Sequence, residues 1–131
     1  MRKAAIAVMG FVLLLTLPAC AENACPAIGW NNVVTVDAAA YGDDVFIQLC
    51  TDAGCSAAPG EEPTPSSDPA TPVRADDTTF GFGMAAPDEA LVRVYAADGS
   101  LVAESEHTIS WTHSTDRCGG PSTAEPIVLQ P

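Results

Sequence analysis

Basic residues are nearly absent from this chain. Its 131 residues hold only five lysines and arginines against 17 aspartates and glutamates, a formal net charge of −12. Arg2 and Lys3 sit at the extreme amino end, so Arg74, Arg93 and Arg117 are the only cationic side chains of all that follows. A surface of this sign repels phosphate backbones and anionic head groups, which excludes nucleic-acid binding and polybasic membrane docking. It confers solubility, and it leaves basic proteins or divalent cations as the partners with favourable charge. Aromatics are scarce as well, at two tryptophans, two tyrosines and four phenylalanines, too few for an aromatic carbohydrate-binding platform. Long apolar runs occur in one place, Ala4 to Leu17, and that run is shorter than the roughly 20 residues of a membrane-spanning helix.

Catalytic groups are equally thin. His107 and His113 are the only histidines, with Ser110, Ser114 and Asp116 nearby. A hydrolase needs nucleophile, base and orienting group brought together. The chain lacks a Gly-x-Ser-x-Gly elbow, and His113-Ser114-Thr115-Asp116 reads as a polar turn leaving a strand. His107 reads as a partly buried, hydrogen-bonded histidine. The acidic pairs Asp43-Asp44, Glu61-Glu62 and Asp76-Asp77 lack EF-hand spacing and read as solvated loop charges. Carboxylates for glycoside hydrolysis require a cleft that so short a chain does not suggest. Gly81-Phe82-Gly83 has neither the third glycine nor the following helix of a phosphate cradle. The expectation is a protein without catalytic residues, metal site or cofactor.

What the chain does have is an address. Arg2-Lys3, the apolar run and the small residues after it form a secretory signal. Leu17-Pro18-Ala19-Cys20 resembles the lipobox of bacterial lipoproteins, with leucine three residues before the cysteine and a small residue directly before it. The resemblance implies removal of residues 1–19, diacylation of Cys20, and anchoring at the outer face of the bacterial cytoplasmic membrane; two acyl chains suffice for stable attachment. Residues 20–24 would then be a short tether. The alternative is ordinary cleavage after Ala21, which releases a secreted protein.

With Cys20 set apart, Cys25, Cys50, Cys55 and Cys118 remain, an even number outside the cytoplasm, where disulfides are the default. Their spacing matches no zinc ribbon or finger. Three pairings are possible. The preferred one joins Cys25 to Cys118 and Cys50 to Cys55, because the latter two flank the polar turn Thr51-Asp52-Ala53-Gly54. The long loop would contribute up to about 4.7 kcal/mol and the short one about 2 kcal/mol in a chain-entropy account.

Hydrophobic alternation with a period of two recurs through the mature part. Val34 and Val36 share a face opposite Thr35 and Asp37. Val45, Ile47 and Leu49 make a second face, with Gln48 turned away, and Phe80, Phe82 and Met84 a third. Asp98-Gly99 between alternating runs predicts a two-residue hairpin turn. That register sets Ala97 opposite Ser100, Tyr95 opposite Val102 and Arg93 opposite Glu104. Val92, Val94, Ala96, Leu101 and Ala103 then face inward, and the second hairpin strand continues to about residue 112 with Ile109 and Trp111 inward. A last strand covers Ile127 to Leu129. Trp30 is expected to pack over a disulfide beside Cys25-Pro26, with Tyr41 another packing aromatic.

Between these runs, residues 56–76 carry Pro59, Pro63, Pro65, Pro69 and Pro72 among Ser, Thr, Ala and acids, a composition that reads as a mobile, extended loop. About six strands with turn signals between them predict an all-β fold, a small antiparallel β-sandwich, with a small β-barrel as the alternative. The hairpin is similar to those of immunoglobulin-like and fibronectin-like extracellular modules. Residues 25–131 would form one such domain. The expected function is a non-catalytic structural or binding domain on a membrane-anchored lipoprotein, with an envelope or basic protein as its partner; the alternative is a secreted acidic inhibitor or cation-binding module.

Overall fold

The computed structural model describes residues 24–131. The signal run, Cys20 and the alternative cleavage site after Ala21 lie outside the described residues. Ten strands follow in order: β1 (Val33–Asp37), β2 (Phe46–Thr51), β3 (Gly54–Cys55), β4 (Val73–Arg74), β5 (Thr79–Gly81), β6 (Glu89–Tyr95), β7 (Leu101–Thr108), β8 (Trp111–Thr112), β9 (Thr123–Ala124) and β10 (Ile127–Val128). A 3-10 turn, Ala39–Tyr41, links β1 to β2.

The strands form two sheets rather than a closed barrel. One runs β3-β2-β6-β7; the other runs β4-β5-β1-β9-β8, with β10 also paired to β1. The protein is a small β-sandwich. Alternating residues of both sheets bury the same core, in which Val34, Val36, Ile47, Leu49, Phe80, Phe82, Val92 and Val94 are each at most 2% exposed. Burial of such side chains contributes about 1.5–3 kcal/mol apiece. Pairing is not wholly antiparallel: β1 runs parallel to β9, through Val33 and Thr123, and to β10, through Val36 and Ile127. The carboxyl-terminal strands return on the same side of β1 after the chain has crossed between sheets.

The hairpin departs from a two-residue turn. The Ala96 carbonyl accepts the Gly99 N–H at 2.9 Å and the Ala96 N–H donates to the Ser100 carbonyl at 2.8 Å, so the loop holds three residues. A type I′ turn would need positive φ at Asp98, but among the described residues only glycines have it, Gly99 at 83°. Asp98 instead accepts the Ser100 N–H and O–H, at 2.9 and 2.6 Å. Tyr95 therefore faces Leu101, not Val102, and Ala97 lies in the loop rather than opposite Ser100. A bulge at Val94/Tyr95 restores the register, and Arg93 still faces Glu104. Leu101 and Val102, on the outer end of an edge strand, stay 52% and 51% exposed; Leu101 is not part of the core.

Two further expectations change. The strand from the hairpin does not run to residue 112, because β7 stops at Thr108 and β8 joins the opposite sheet against β9. Ile109 plugs the crossing, buried, with its N–H on the Asp88 carbonyl at 2.7 Å. Met84 is 58% exposed because β5 ends at Gly81 and the chain turns, Ala85 N–H to the Phe82 carbonyl at 3.1 Å, before Met84 can continue the face.

Candidate binding site

The cysteines among the described residues pair as Cys25–Cys118 and Cys50–Cys55. Cys50 and Cys55 stand directly opposite each other across β2 and β3. The Trp30 ring lies against Gly119, next to Cys118, so closely that a Cβ there would meet it at 2.7 Å; Gly119 also has φ 79°. Any side chain at that position would displace the tryptophan from its place beside the disulfide. Tyr41 packs half-buried against the core and donates its O–H to the Gln130 carbonyl at 3.0 Å.

The candidate catalytic groups do not converge. His113 Nδ1 meets Ser122 Oγ at 2.9 Å, a serine from another segment, and His107 Nε2 meets Ser105 Oγ at 2.7 Å. Ser114 and Asp116 instead accept backbone N–H groups of their own turn. Among the described residues neither imidazole is paired with a carboxylate, and no group of three or more His, Cys, Asp or Glu side chains is arranged to hold a metal ion. Asp76 Oδ1 accepts the N–H groups of Thr78 and Thr79, at 2.9 and 2.8 Å. These bonds, that of Thr78 foremost, hold its carboxyl below the usual carboxylate range. Arg93 is held above its ordinary range by its bond to Glu104 at 2.6 Å.

The proline-rich stretch is where the structure adds most. Instead of extending freely, it folds back onto β2: Thr51 Oγ1 donates to the Ala70 carbonyl at 2.7 Å and Thr71 Oγ1 to the Ala53 carbonyl at 3.2 Å. Prolines cannot donate ladder bonds, so the segment covers the sheet without extending it. Ser56 occupies the open edge of β2, giving its N–H to the Leu49 carbonyl at 2.8 Å and taking the Leu49 N–H on Oγ at 3.1 Å. Arg74, on β4, donates Nη2 to the Ile47 carbonyl and Nη1 to the carbonyls of Asp76 and Asp77. Its guanidinium lies 4.0 Å from the centre of the Phe46 ring, a cation–π contact. Burial lowers the Arg74 pKa, with Asp77 and Asp76 acting in the opposite direction.

Beneath this cover lies a cavity of about 510 Å³ lined by Phe46, Gln48, Ser56 and Arg74 on the sheet side. Gln48 does turn away from the core, yet it is 5% exposed, with Nε2 on the Ser56 carbonyl at 2.8 Å and Oε1 accepting the Tyr95 O–H at 2.9 Å. The alternation of β2 hides this site, since it marks Gln48 as a solvent-facing residue. The one available signal was Arg74 itself, a lone cation inside an acidic, proline-rich stretch.

Comparison of the chain with protein-family models, with curated proteins and with solved structures finds no match. The site must be read from its own chemistry.

Proposed function

We propose that this chain is a lipoprotein anchored through Cys20 at the outer face of a bacterial cytoplasmic membrane, where its β-sandwich acts as a non-catalytic structural or binding domain. The observation that carries the reading is the division of the five cysteines. Four of them pair with one another within the sandwich, so no described disulfide claims Cys20, the cysteine that ends the lipobox-like Leu17-Pro18-Ala19-Cys20. Few residues separate Cys20 from Cys25, so the tether holds the sandwich close to the bilayer.

Charge favours a basic envelope protein as its partner. Asp52, Glu89 and Glu106, from the ends of β2, β6 and β7, line a shallow groove with His107. Attraction of this kind steers association and weakens steeply with salt.

Mass analysis of the mature amino terminus tests the anchor: a diacylated Cys20 is expected, and an unmodified chain starting at Glu22 would overturn it in favour of a secreted protein. For the partner, a polylysine peptide is expected to bind at low salt and to be released at high salt, with weaker binding after Glu106→Gln. Failure to bind at low salt removes the basic-partner reading.

A further inference from the structure

We propose that the cavity beneath the proline-rich segment binds a small, uncharged molecule with an apolar body and a hydrogen-bond-accepting oxygen, such as a ketone or ester carbonyl. Its size, about 510 Å³, falls in the range of small-molecule sites. Pro63, Pro65, Pro72 and Ala57 contribute apolar lining together with Phe46.

Gln48, Ser56 and Arg74 form the polar part of the sheet-side lining, and their hydrogen-bond inventory leaves donors to spare. Gln48 has one Oε1 bond from Tyr95 and one Nε2 bond to Ser56, which leaves an Nε2 hydrogen. Ser56 Oγ already accepts from Leu49, so its own proton is free to rotate toward the cavity. Arg74 uses both Nη atoms on backbone carbonyls, while its Nε is buried and meets no acceptor among the described residues. Burial shuts Nε off from the cavity as it does from water, so the donors a ligand can reach are those of Gln48 and Ser56.

Charge then separates neutral acceptors from carboxylates. Asp77 and Asp76 already oppose the Arg74 charge. The exposed Glu61 and Glu62 form part of the lining where it meets solvent, on a chain of net charge −12. A carboxylate is repelled on approach, whereas an ammonium group is held by Glu61 and Glu62 at the mouth and meets the spare Gln48 and Ser56 donors at the sheet side. The inference rests on residues 46–77 with Tyr95 and stands whether or not Cys20 is acylated.

The test uses the disulfide-intact chain, labelled with nitrogen-15, and three probes on one cyclohexyl body: cyclohexyl methyl ketone, cyclohexanecarboxylate and cyclohexylammonium. The ketone is expected to bind saturably and to move the Gln48 side-chain amide resonances, the other two at least about tenfold more weakly. Ala57→Phe, which fills the cavity without touching the donors, should abolish the ketone response while leaving the Val92 and Val94 amides in place. Should that variant not fold, Ala58→Leu is a smaller plug on the neighbouring wall with the same expected outcome. No saturable response to the ketone, equal binding of all three probes, or a response that survives the plug would overturn the proposal.

Discussion

Beyond the short β3, the edge of β2 is closed by Ser56 and Arg74 and roofed by prolines, whereas β7, at the other end of the same sheet, pairs among the described residues with β6 alone. Both edges present unpaired backbone groups that invite another strand. The first is answered by covering: side chains and a backbone N–H supply the missing partners of Ile47 and Leu49. The second is answered by charge and shape, with exposed Glu104 and Glu106 and a bulge near its start. Two copies meeting along β7 would bring like charges together. Covering an edge creates a cavity with its own chemistry, while guarding it with charge leaves only surface.

The largest effect should fall under the covered edge. Phe80, fully buried and paired through β5 with Arg74, is expected to lose about 3–5 kcal/mol of stability as Phe80→Ala in denaturant unfolding. A loss below about 1 kcal/mol would show that the covered flank lies outside the core. Next comes Ser56→Ala, which leaves the Leu49 N–H buried without its acceptor and should cost about 1–3 kcal/mol. If it costs no more than a change on β7, the contrast between the two edges fails.

Acid should weaken the covered side next. The Asp76 carboxyl is held below its ordinary range by the Thr78 and Thr79 bonds, and its backbone carbonyl receives Arg74. A depressed carboxylate contributes stability above its unfolded pKa and loses it as pH falls through the folded value. Tm should therefore drop on acidification, and less so in Asp76→Asn, which keeps an accepting oxygen but cannot titrate. An identical acid profile in the variant would assign the drop elsewhere. At the bottom of the scale, Leu101→Ser on the open edge should change stability by no more than about 0.5 kcal/mol. A larger cost would mean that β7 is covered after all.

Much of this architecture was legible beforehand. Alternation placed β1, β2, β6 and the start of β7 within a residue or two, and it marked Val34, Val36, Ile47, Leu49, Val92 and Val94 as inward. The hairpin was legible as a hairpin but not in its loop, because Asp-Gly suits both a two-residue turn and a three-residue turn closed by glycine in the left-handed region. The crossing at Ile109 was hidden because Ile109 and Trp111 keep the parity of β7 while the backbone changes sheets. The His113–Ser122 pair was out of reach for a similar reason: it joins segments whose proximity depends on β9 returning beside β8.

The sequence by itself determined the sign of the surface, the separation of Cys20 from four pairable cysteines, and the inward faces of the main strands. These are local properties: charge is counted residue by residue, and a period of two needs only a few neighbours to be read. Tertiary structure decided which strands became edges, where the chain changed sheets, and that an outward glutamine, a loop serine and a lone arginine would meet around one cavity. Which face a side chain takes follows from the pleat, but whether that face is covered depends on segments many residues away folding back upon it.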